Sequence, residues 1–169
     1  GGRAYADTRE GKSVLVMSGG SGQVVEWPEA IAVFRTAVEK DPEMSEAWFQ
    51  IGYVENEKNG GLGKATEASY APLVRCIKLD SKHAKAHYYL GRVLAIVRKD
   101  PKGAEASYRE AIRLDPKYAL AHHHLGNALY KHGKLADAEA SYREAIRLDP
   151  NYAHAHINLG FLLEKLGKL

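Results

Sequence analysis

The chain has 169 residues, 45% hydrophobic and 27% charged, with 24 basic against 21 acidic side chains and a formal charge of +3. This balance excludes a chain disordered throughout, a collagen and a disulfide scaffold. No apolar run approaches the roughly 20 residues that cross a bilayer, and the basic residues are not clustered as a nucleic-acid surface requires, so neither membrane nor nucleic acid is an expected partner. In chain order, residues 1–26 read as a non-repeat, Gly-rich segment expected to be flexible. Ser18-Gly19-Gly20-Ser21-Gly22 cannot sustain a helix, while Ser13 to Met17 and Gln23 to Glu26 on either side fit the strands of a small hairpin. Gly11-Lys12-Ser13 is no phosphate loop, because Ala6 stands where the first glycine is required and no strand candidate precedes it.

From residue 27 onward the chain repeats. Ala104 to Pro116 and Ala138 to Pro150 both read AEASYREAIRLDP, 34 residues apart. Gly52, Gly91, Gly126 and Gly160 extend the register, as do Ala37, Cys76, Ala111 and Ala145, and Phe34, Leu73, Tyr108 and Tyr142. The small residue and the next glycine are always 15 apart, so the junction between units is fixed. Extra residues enter only within units, at Asn59 to Gly63 and around Asp100 to Gly103, where surface turns are expected. Ala121, Leu125, Ala128 and Leu129 fall at helical spacing, and so do Ala138, Tyr142, Ala145 and Ile146. Each unit is therefore two helices joined by a turn. Asp-Pro at 115–116 and 149–150 ends the second helix. Glu105 with Arg109, and Glu139 with Arg143, read as one-turn ion pairs on a solvated face. Glycine inside a helix costs about 1 kcal/mol relative to alanine, so four in register imply close approach of a bulky partner residue, with Tyr108 and Tyr142 the expected intruders. Pro72 fits only within the first turn of its helix.

A helix-turn-helix of 34 residues carrying Trp48 or a histidine, then Leu and Gly, then Ala, an aromatic, Ala and Pro resembles the tetratricopeptide repeat. The resemblance covers residues 27–169: a second helix over 27–42, full units over 45–83, 84–118 and 119–152, and a first helix over 153–169. It implies an all-α, right-handed superhelical α-solenoid of stacked antiparallel helix pairs, whose concave wall binds a peptide or partner protein. Family groove positions fall on Phe49, Tyr53, Lys85, Tyr88, Arg92, His123, Asn127, Lys131, Ile157 and Phe161. The clamp of the chaperone-tail cochaperones is absent in this register, since Tyr88, Arg92, His124, His154 and Asn158 stand in its places. The wording of the repeats is most similar to that of O-linked N-acetylglucosamine transferase, and AHINLG at 155–160 matches its pattern, although its asparagine ladder would need Asn at Tyr89 and His124.

No catalytic constellation, cofactor motif or metal set emerges. His122, His123 and His124 point about 100° apart on a helix and cannot grasp one ion together, and no Cys or carboxylate completes a ligand set around His83 and His87. His87, His122 and His156 share the repeat position of Trp48 and are expected to pack between helices. Cys76 occupies a small-residue packing slot; unpaired, and with no leader segment before it, it favours a reducing setting, cytoplasmic or nuclear. The chain starts Gly1-Gly2 and stops just after a Gly-Lys pair, so it reads as a piece of something longer. The expected role is a non-catalytic interaction scaffold, the alternative being the substrate-recognition arm of a larger O-linked N-acetylglucosamine transferase-like glycosyltransferase. Self-association through the last helix, with Ile157, Leu159, Leu163 and Leu166 lacking a partner, is a further expectation.

Overall fold

The computed structural model describes residues 4–5, 13–18, 21–57 and 65–168. Three strands come first: β1 (Ala4–Tyr5), β2 (Ser13–Ser18) and β3 (Ser21–Glu26) form an antiparallel sheet in that order. The β2–β3 register runs from Ser13 opposite Glu26 to Ser18 opposite Ser21. Ser13 to Met17 and Gln23 to Glu26 thus pair as the small hairpin that the sequence allows. Val14, Val16, Val24 and Val25 supply β-branched propensity, and α1 gives β2 and β3 a surface to lie against.

Eight α-helices follow among the described residues: α1 (Trp27–Lys40), α2 (Ser45–Glu57), α3 (Tyr70–Leu79), α4 (Ala84–Ile96), α5 (Pro101–Leu114), α6 (Ala119–Lys131), α7 (Leu135–Leu148) and α8 (Ala153–Lys165). A 3-10 turn, Glu67–Ser69, leads into α3, so Pro72 stands in that helix's first turn, where its missing amide breaks no ladder. The turn expected around Asp100 to Gly103 is instead the start of α5. Asp100 is the N-cap, its carboxylate accepts from the Gly103 amide at 2.9 Å, and Pro101 takes the first helical position. The turn expected at 59–63 lies outside the described residues.

One set of contacts recurs at every junction. Asp41, Asp80, Asp115 and Asp149 each end a second helix, and each accepts from the amide two residues on, at 2.9 to 3.1 Å. This Asx turn redirects the chain into the next unit. The ring at the fourth position of the following helix then closes the junction. Trp48 Nε1 donates to the Pro42 carbonyl at 2.9 Å, and Nε2 of His87, His122 and His156 sits 3.1, 3.0 and 2.9 Å from the carbonyls of Ser81, Pro116 and Pro150. A carbonyl only accepts, so each imidazole carries its hydrogen on Nε2. Trp and His are interchangeable here because both hold a ring N–H at that reach.

Within units the glycines let a partner helix in. A Cβ added at Gly52 would stand 2.6 Å from Leu73, and one added at Gly91 or Gly126 would stand 2.6 Å from the ring of Tyr108 or Tyr142. The core is continuous in kind along the stack: Trp27, Phe34 and Ile51 at the sheet end, then Phe49, Leu73 and Val93, then Tyr108, Leu125, Leu129 and Tyr142. Helix pairs that each bury their apolar stripe against their neighbours make an α-solenoid.

Candidate functional site

First helices of successive units stand side by side: α2 touches α4, and α4 touches α6, while Asn158 on α8 hydrogen-bonds to residues of α6. The groove positions lie along this wall, and its packing divides them. Phe49, Tyr88, Arg92 and His123 are buried; Tyr53 and Asn127 are half-buried; Lys85, Lys131, Ile157 and Phe161 are exposed.

The residue that precedes each first helix covers the fifth position of the helix before it. The ring of His83 lies 4.4 Å from that of Phe49, Tyr118 lies 4.9 Å from Tyr88, and Tyr152 lies 4.9 Å from His123. These three caps recur at the repeat spacing, so the sequence carried the signal. Their dissimilar types, His then Tyr, concealed it. The reading of Phe49, Tyr88 and His123 as a free recognition surface is corrected: they join one unit to the next. Arg92 is also enclosed, with Nη1 2.5 Å from a Glu57 carboxylate oxygen on α2 and its guanidinium 5.4 Å from the Tyr89 ring centre. Ile157 and Phe161 occupy the same two helix positions on α8, and their exposure reflects the lack of a covering first helix among the described residues.

Between α6 and α8 the wall is polar and fully specified. Tyr142 Oη donates to Asn127 Oδ1 at 2.8 Å, and Asn158 Nδ2 reaches both that oxygen at 2.8 Å and His123 Nε2 at 2.9 Å. His123 Nδ1 is 2.9 Å from Tyr152 Oη. Since Asn158 donates to Nε2, the hydrogen of the neutral ring sits on Nδ1 and points at Tyr152. Burial and then the neighbouring His154 push His123 down to about 4. Burial and then the adjacent His123 push His124, packed against Tyr88 and Tyr108, down to about 3. Both rings are neutral near pH 7. Burial raises the Cys76 thiol to about 12, which suits packing and not nucleophilic chemistry.

An open cleft of about 590 Å³ lies over this wall, lined by Asn127, Tyr130, Lys131, Tyr142, Asn158 and Phe161. Lys165 Nζ stands 4.8 Å over the Tyr130 ring and 3.4 Å from its hydroxyl. Asn127 has its oxygen engaged, which leaves its amide nitrogen, with the Lys131 ammonium, as donors that can meet a partner. Tyr130 and Phe161 add aromatic area beside them. Among the described residues, no three of His, Cys, Asp and Glu are grouped to hold a metal ion, and no helix is long and apolar enough to cross a membrane.

The second-helix glutamates are more than solvated pairs. Glu105 takes Arg109 at 3.0 Å, but also His132 and Lys134 from the next turn at 3.0 and 3.1 Å. Glu139 takes Arg143 and, at 2.8 Å, Lys168. Glu67 pairs in the same way with Arg98.

Two family models match the chain, one described as TPR repeat over residues 100–133 and 126–167, the other as tetratricopeptide repeat over residues 26–71. No curated protein matches. Among solved structures, two of MamA are each 24% identical, with TM-scores of 0.72 and 0.71, covering 84% of this chain and 80% and 74% of theirs. YrrB, described as a TPR protein with an unusual peptide-binding site, is 22% identical with a TM-score of 0.67, covering 84% of this chain and 70% of that one. At that identity the likeness carries the fold. With the family models spanning most of the helical array, and Asx turns, ring clips and glycine notches repeating at the same spacing, the chain belongs to the tetratricopeptide repeat family.

Proposed function

We propose that the chain is a non-catalytic scaffold that binds a peptide or an extended segment of a partner protein along the wall of first helices. The observation that carries this reading is the cleft of Asn127, Tyr130, Lys131, Tyr142, Asn158 and Phe161, where free donors stand beside aromatic area on a prearranged framework. Amphipathic aromatics and amide donors on a rigid support suit recognition of a peptide backbone and its acceptors. The likeness to YrrB, a TPR protein with a peptide-binding site, agrees with it. The transferase-arm alternative gains less support, because the amide nitrogen of Asn158, the one asparagine in the ladder register, is already engaged by Asn127 and His123.

The test is a peptide-array screen followed by titration of the best binder against wild type and Lys131→Glu with Phe161→Ala. Truncating central contact residues of an interface typically costs about 2 kcal/mol or more, so the double variant is expected to bind at least about tenfold more weakly while keeping the wild-type melting temperature. Unchanged affinity in the double variant removes the cleft from the reading.

A further inference from the structure

Glu57 and Lys131 hold the same place, the last residue, on the first helices α2 and α6. On α2 the charge there is answered within the chain: the Glu57 carboxylate meets Arg92 Nη1 of the next first helix at 2.5 Å. On α6 it is not answered. The residue of α8 that corresponds to Arg92 is Phe161, no Asp or Glu lines the cleft, and among the described residues Lys131 makes no ion pair. One helical turn before Lys131, and so on the same face, Asn127 is held in a single orientation. Tyr142 Oη and Asn158 Nδ2 both donate to its oxygen, at 2.8 Å each, which leaves its amide nitrogen as a fixed donor on the cleft wall.

We infer that this step of the wall takes the carboxylate side chain, Asp or Glu, of a bound peptide, its oxygens accepting from Asn127 Nδ2 and Lys131 Nζ. The inference rests on the peptide-scaffold reading above and gives that ligand its chemistry. An ionised carboxylate only accepts, so two neighbouring donors, one of them charged, match it and leave nothing unpaired. The pairing of Glu57 with Arg92 two helices earlier is the internal precedent for a carboxylate held at this height of the wall. Lys165, whose ammonium stands over the Tyr130 ring, adds a second positive charge to the same cleft. At about 590 Å³ the cleft is far larger than one carboxylate, and it is open, so a chain can run on past the site with its neighbouring side chains against Tyr130. That favours a side chain over a chain terminus as the source of the charge. Both donors belong to α6, which already has α7 and α8 packed on it, so the site does not turn on what covers α8.

The probe is a positional library of octapeptides, acetylated and amidated so that only side chains carry charge, titrated against the intact chain. At one library position Asp or Glu is expected to bind at least about threefold more tightly than Asn or Gln, an advantage that shrinks as salt is raised. Lys131→Gln removes the advantage, and Lys131→Glu transfers it to Lys and Arg at the same position. Asn127→Asp keeps the oxygen that Tyr142 and Asn158 use and exchanges only the free donor for an acceptor, so it removes the advantage at an unchanged melting temperature. Lys117→Gln, which deletes the same charge from an exposed turn elsewhere, retains it. Peptides that bind wild type with no acidic preference overturn this inference and leave the scaffold reading standing. So does a preference that survives both Lys131→Gln and Asn127→Asp, and so does a gain seen only when the library carries a free terminal carboxylate. A library without any binder removes both readings.

Discussion

Arg92 stands 5% exposed with its guanidinium against the half-buried Glu57 and the Tyr89 ring. Arg92→Ala removes the partner of a carboxylate with little water around it, and urea denaturation is expected to show a loss of about 2 to 4 kcal/mol. Lys131→Ala, at an exposed position of the same wall, stays within about 0.5 kcal/mol. His123 ties stability to pH. Its ordinary value is 6.5, and in the folded chain burial and His154 lower it to about 4. Between those values the unfolded chain binds more protons, so stability is full above pH 6.5 and falls as pH drops toward 4, by roughly 3 kcal/mol for a shift of this size. His124 adds in the same direction. Thermal melts between pH 7.5 and 5 should show the decline, and His123→Gln should flatten it; an equal slope in the variant places its cause elsewhere. Protonation would also set an N–H of His123 against the Asn158 amide and loosen the join between α6 and α8.

At the scale of elements, the turns between first and second helices share a backbone requirement. Lys99, Gly133 and Gly167 recur 34 residues apart with φ of 54°, 72° and 65°. Glycine adopts that left-handed geometry without penalty, whereas lysine is strained by its Cβ. Lys99→Gly is therefore expected to raise stability by about 0.5 to 1 kcal/mol despite deleting a side chain, and chemical denaturation would register it as a higher midpoint at unchanged slope. The helices themselves were legible because landmarks such as Gly91 and Gly126, or Tyr108 and Tyr142, repeat in type as well as in spacing. Periodicity reports which residues share a face of one helix. It does not report which face the following unit covers. That is why Tyr88, Arg92 and His123 read as groove residues, and why the caps His83, Tyr118 and Tyr152 passed unnoticed. The glutamates at 105 and 139 misled for the same reason: their one-turn arginines are local in sequence, whereas Lys134 and Lys168 arrive from the next turn.

The whole molecule is a stack with two unlike ends. At one, β2 and β3 lie against α1. At the other, α8 keeps Ile157 and Phe161 in water. Between them, the 3-10 turn before α3 and the second helices α5 and α7 are fastened to the turn beyond by Glu67 with Arg98, Glu105 with Lys134 and Glu139 with Lys168, and the first helices α2, α4 and α6 are each plugged by the residue that caps the next first helix. Stability in such an array is close to a sum of units and the interfaces between neighbours. The fold class was readable because that sum is written into the sequence as repetition. The sheet was only half readable, since nothing repeats there and its strands are short. The plugs have a mechanical consequence. With an aromatic ring wedged at each of His83, Tyr118 and Tyr152, any change in the curvature of the stack has to unseat a ring, so bending would cost packing at every seam.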